Sequence, residues 1–143
     1  MTTYLLSQAA KIAKRDLDEA LAARGMRMRH MAVLAVLDET PATQLDLGHR
    51  LDLDPSDVTA TVDDLEAHSL VIRAVDPADR RRKVVSLTVS GRREIARLDR
   101  MARQLADALL QPVPEERRRQ LHADLLTVLL AQDARLTGPT TAR

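Results

Sequence analysis

The sequence contains no cysteine, phenylalanine or tryptophan, and Tyr4 is its single aromatic residue. The missing cysteine excludes disulfides, thiol redox sensing, a cysteine nucleophile and cysteine-ligated zinc. Without Phe and Trp the core must be built from Leu, Val, Ala, Met and Ile, a set that suits packed helices. No run of about 20 apolar residues is present, so no membrane-spanning helix is expected. Lys11, Lys14 and Arg15 arrive before any usable apolar stretch, which argues against a signal peptide and for a cytoplasmic protein. There is no P-loop, dinucleotide fingerprint or nucleophile elbow. His30, His49, His68 and His122 lack metal-ligand spacing, and Asp63 and Asp64 point in different directions from one helix. Neither an enzyme, nor a cofactor, nor a bound metal is therefore expected.

At 143 residues, 45% of them hydrophobic, the chain is long enough for one compact domain, or a domain with a dimerisation extension. The net charge is only +1 but it is unevenly spread. Residues 73–100 carry nine cations against four acids, whereas residues 42–66 carry seven acids against Arg50 alone. The first segment includes the run Asp79-Arg80-Arg81-Arg82-Lys83 between two short β-rich stretches, with Asp76-Pro77 and Ala78-Asp79 forming the bend. Four cations at a hairpin tip repel one another, and a core has no use for them, so the tip points to an anionic partner.

Apolar spacing predicts a helix over residues 4–23, stopped at Gly25, and a second over 27–39, broken by Thr40-Pro41-Ala42-Thr43. A short helix is expected from about Gln44 to Leu51 with Thr43 as its N-cap. Another runs to about Ala67, with Asp54 as N-cap, Pro55 in the first helical position and Asp57 in the first turn. Two strands then lead to a long helix from about Ser90 to Leu110, and Pro112 and Pro114 separate it from a last helix over 115–133. The short pair from Thr43 to Ala67 has the helix-turn-helix pattern. Gly48 stands where the two backbones must approach, with Val58 as the apolar contact opposite. An ordinary helical hairpin would look the same, but the basic β-hairpin behind it makes a winged helix: one helix for a major groove, a wing for the backbone or a minor groove. The fold class is thus mainly α with a small β-hairpin wing.

These residues resemble the MarR family of bacterial transcriptional regulators over nearly the full length. The resemblance is carried by residues 25–34, 43–51 and 56–66, and most specifically by Asp79-Arg80-Arg81 through Leu87-Thr88-Val89-Ser90-Gly91. It implies a homodimer whose helical dimerisation region is formed by residues 1–26 and 90–136, with a winged helix-turn-helix over 27–89 and a flexible tail over 137–143. It also implies a pseudo-palindromic operator in double-stranded DNA and a small-molecule effector that releases it. By position, Arg81 is similar to the wing arginine that enters the minor groove, and Asp79 to the acid that orients it; simple turn formation by Asp79 is equally compatible. Arg80, Arg82 and Lys83 would contact phosphates, or else form a solvated charge run. Thr43, Ser56, Asp57, Thr59, Ala60 and Thr61 are the DNA-facing residues expected of the two helices, and His30 and Met31 those of the effector pocket. The chain departs from the family at Ala60 and Asp64, where many members have arginine, and at Ser69, where glycine is common. An acidic recognition helix leaves a second reading open: a homologue that has lost specific DNA binding and uses its interface cavity for a small molecule or another activity.

Overall fold

Helices and strands alternate unevenly along the computed structural model, which describes residues 1–132. The order is α1 (Thr2–Ala22), α2 (Met28–Glu39), β1 (Ala42–Thr43), α3 (Gln44–Leu51), α4 (Pro55–Ala67), β2 (Val71–Val75), β3 (Lys83–Leu87), α5 (Val89–Leu109) and α6 (Glu115–Gln132). The expected tail of residues 137–143, and the end of the dimerisation region at 133–136, lie outside the described residues.

Local chemistry accounts for most boundaries. Gly25 adopts a left-handed φ of 69°, and Met26 N–H reaches back to the Leu21 carbonyl, closing α1. Thr43 caps α3: its hydroxyl accepts from Asp46 N–H at 3.1 Å and donates to the Asp46 carboxylate at 2.8 Å. That hydroxyl, the Thr43 N–H and the neighbouring Arg82 and His49 hold the Asp46 carboxyl below its ordinary value, against a smaller opposing effect of burial. Asp54 caps α4 and Pro55 opens it, as the sequence indicates. At the end of α4, Ser69 takes a φ of 58°. A side chain there costs ~1–2 kcal/mol, and glycine would return ~0.5–1 kcal/mol of that through its freer unfolded chain. Ser69→Gly should therefore raise stability by about 0.5 kcal/mol in urea unfolding.

The sheet is antiparallel with order β1-β3-β2. Arg73 pairs with Val85 and Val75 with Lys83 in the hairpin, while Ala42 and Thr43 pair with Val85 and Val84 on the other edge of β3. The wing is thus three-stranded, where a two-stranded hairpin was expected. The third strand falls in the segment read as a break after α2; two residues have no periodicity, and only β3 makes them a strand.

The core gathers Val33, Leu34, Val36 and Leu37 of α2 against Leu47, Val62 and Leu98. Gly48 lets α3 and α4 cross closely: a β-carbon there would lie 3.2 Å from the Leu53 carbonyl oxygen and 3.6 Å from Val58. The other half of the chain is built differently. Leu21 is the single buried residue of α1, and α6 buries none.

Candidate nucleic-acid interface

The wing tip is a chain of backbone and carboxylate hydrogen bonds. Asp76 N–H donates to the Arg82 carbonyl at 2.8 Å, and Arg82 N–H to the Asp79 carbonyl at 3.0 Å. The Asp76 carboxylate accepts from Ala78 N–H at 2.9 Å, and that of Asp79 from Arg81 N–H at 3.0 Å. Asp79 therefore fixes the backbone at Arg81 and makes no contact with its guanidinium. Arg80, Arg81, Arg82 and Lys83 are all exposed, and among the described residues only Arg82 has an acidic neighbour, Asp46 at 3.9 Å.

The acids of α4 are in a different position. Arg73, on β2 and 16% exposed, holds Asp63 at 2.5 Å and Glu66 at 2.9 Å. Arg29 lies 3.4 Å from Asp57, and His30 Nε2 3.1 Å from Asp64. Because His30 Nδ1 accepts from Arg27 N–H at 3.0 Å, the neutral ring carries its proton on Nε2 and donates it to Asp64. Such pairs at the surface add little stability, but Arg29 and Arg73 offset part of the negative field that the sequence assigns to α4. Arg73 also donates to Gln44 Oε1 at 2.9 Å, and Gln44 Nε2 to Thr59 Oγ1 at 3.0 Å, so one arginine ties the wing base to both helices. Arg73 carries no sequence signal for this role beyond being a charged residue in mid-strand, and Gln44 and Arg29 carry none.

Ser56, Asp57, Thr59 and Ala60 are exposed on α4, as a DNA-facing role requires. Two expected contacts need correction. Thr61 is fully buried, its hydroxyl donating to the Asp57 carbonyl at 2.7 Å, and so faces the core. Thr43 is 9% exposed and its hydroxyl serves the α3 cap, which leaves it structural.

Behind α4, between it, α2 and α5, lies a cleft of about 420 Å³ lined by Arg24, Met26, His30, Asp64, His68 and Glu94. It shares Gly25, Met26, His30 and Asp64 with a neighbouring cleft of about 400 Å³ that adds Arg27 and Arg29. Arg24 Nε and Nη2 both donate to Glu94 Oε1, at 3.0 and 2.6 Å, and Glu94 is 8% exposed. Arg29 Nε is buried without a partner among the described residues. His30 is thus placed at both clefts, whereas Met31 packs against the core and lines neither. No three metal-ligating side chains converge among the described residues. On the far side, α1, α5 and α6 enclose an open apolar groove of about 630 Å³ lined by Leu5, Leu6, Leu105, Leu109, Leu121 and Leu125 among others.

Residues 24–82 match the sequence model of the MarR family. A MarR-family transcriptional regulator from Rhodococcus sp. RHA1 is 27% identical with a TM-score of 0.74, over 89% of this chain and 91% of that one. CouR from Rhodococcus jostii RHA1, solved with p-coumaroyl-CoA, is 28% identical with a TM-score of 0.69, over 89% and 90%. Apo MarR from E. coli shares the fold, at 23% identity and a TM-score of 0.76, over 89% and 95%. No curated protein matches the sequence significantly.

Proposed function

We propose, from a MarR-family sequence match over residues 24–82 on a chain that over 89% of its length is similar in fold to a MarR-family transcriptional regulator, that this protein is a cytoplasmic, homodimeric repressor of a pseudo-palindromic operator, released by a small molecule. The observation that carries the reading is the contrast in charge: four exposed wing cations, of which only Arg82 lies within ion-pair distance of a carboxylate, beside an α4 whose acids are partly offset by Arg29 and Arg73. A dimer is supported by α6, which buries no residue, and by the apolar groove it borders. Two copies would set their α4 helices on successive major-groove faces about 34 Å apart. The clefts at His30 lie directly against α4 through Asp64, so an occupant there would act on the angle of the reading helix. An effector is further supported by the p-coumaroyl-CoA held by CouR. The reading without DNA binding drew its force from the acids of α4, and the Arg29 and Arg73 pairs offset two of those four negative charges.

Binding to the DNA upstream of its own gene, measured at two salt concentrations, tests this. Specific binding that weakens as salt rises is expected; equal affinity for random DNA would sink the reading. Arg81→Ala should weaken operator binding by about 5- to 150-fold, the range of ~1–3 kcal/mol for a specific arginine contact, and by more than any single α4 substitution. Unchanged affinity would remove the wing from the interface.

A further inference from the structure

The exposed face of α4 is chemically narrow. From Pro55 to Ala67 there is no Arg, Lys, Asn or Gln, the side chains that read guanine and adenine through paired hydrogen bonds in a major groove. The hydroxyl protons that remain are committed within the protein. Ser56 Oγ donates to the Asp54 carboxylate. Thr59 Oγ1 donates to the Pro55 carbonyl at 3.0 Å and accepts from Gln44 Nε2 at 3.0 Å. Gln44 cannot turn away to do otherwise, because Arg73 holds its Oε1 at 2.9 Å. Thr59 is exposed with its hydroxyl proton and one lone pair in use, which makes its γ-methyl the main group it offers a partner, and exposed Ala60 beside it has only a methyl.

We propose that α4 reads DNA by apolar contact: Thr59 and Ala60 meet the 5-methyl groups of thymines, and the α4 footprint in each half-site is set by thymine methyls. This rests on the DNA-binding function proposed above. Ala and Thr methyls are suited to that contact, since thymine alone among the bases presents a methyl in the major groove. The Arg73–Gln44–Thr59 chain is then a positioning device: it turns the hydroxyl inward.

Two deletions of a single methyl test it. Thr59→Ser keeps the hydroxyl with both its hydrogen bonds and removes the protein methyl; deoxyuridine in place of thymidine removes the DNA methyl. The probe is a duplex enriched by the full-length protein from a randomised library. The enriched half-sites are expected to hold thymines under α4, and deoxyuridine at those positions should weaken binding about fourfold per methyl, the worth of one buried methyl group. Thr59→Ser should weaken the thymidine duplex by a similar factor and respond no further to deoxyuridine at the base pair that Thr59 faces. A defined enriched sequence whose affinity ignores deoxyuridine at every thymine overturns the methyl readout and leaves DNA binding standing. Enrichment of no sequence over random DNA overturns both.

Discussion

Gly91→Ala is expected to destabilise the protein by about 3 kcal/mol or more, the upper range for overpacking at a site that cannot yield. A β-carbon at Gly91 would lie 2.0 Å from the Leu70 carbonyl oxygen and 3.1 Å from Leu87. The oxygen is backbone, so no rotamer change relieves the overlap. Nor can the carbonyl simply swing aside, since it accepts Thr88 N–H at 3.0 Å and lies 3.2 Å from the Thr88 hydroxyl. That same hydroxyl caps α5 by accepting Gly91 N–H at 2.9 Å. One methyl group thus presses on the end of α4, the start of β2 and the first turn of α5 together. Gly48→Ala makes an internal comparison: its nearest contact would be 3.2 Å, which a few tenths of an ångström of movement relieves. Urea unfolding of the two variants should therefore rank Gly91→Ala far below Gly48→Ala. A Gly91→Ala midpoint close to that of the parent would mean that α5 can slide away from Leu70. There would then be no fixed relation between the wing and α5.

Much of this was legible in the sequence. The Gly48–Val58 crossing, the Asp54-Pro55 helix start and the Thr43 cap all followed from residue types at particular positions, because each is a local matter of backbone conformation or a short-range hydrogen bond. Thr61 was legible too and was misassigned. Val58, Val62 and Leu65 set the buried phase of α4, and Thr61 lies three residues after Val58, on that same face. What composition cannot show is who pairs with whom. Seven acids against one arginine described residues 42–66 correctly as a count. Yet Arg73 reaches Asp63 and Glu66 from β2, and Arg29 reaches Asp57 from α2. The same holds for β1, a strand only because β3 runs beside it.

The second large effect should come from α6. Replacing Leu125 and Leu129 together with aspartate is expected to turn a dimer into a monomer in sedimentation and to weaken operator binding by at least about 100-fold, the low end of what linking two sites supplies. Both leucines are exposed in the single chain, at 41% and 45%, and Leu125 lines the apolar groove. A helix that buries none of its own residues has no internal reason to leave Leu125, Val128 and Leu129 exposed to water. A second copy would cover those side chains, and burying a leucine contributes ~1.5–3 kcal/mol, so four leucines per dimer would form a large part of the seam. Aspartate in their place removes that burial and brings unpaired carboxylates into an apolar contact. The protomer itself should remain folded, since α6 packs no residue into the core around α2 and α4. Circular dichroism and urea unfolding of the monomeric variant check that point. A folded monomer that has lost the operator but keeps weak, salt-sensitive binding to any duplex would show that specificity requires two wings and two α4 helices at once. A variant that stays dimeric would place the seam elsewhere, and leave the exposed apolar side of α6 to a different partner.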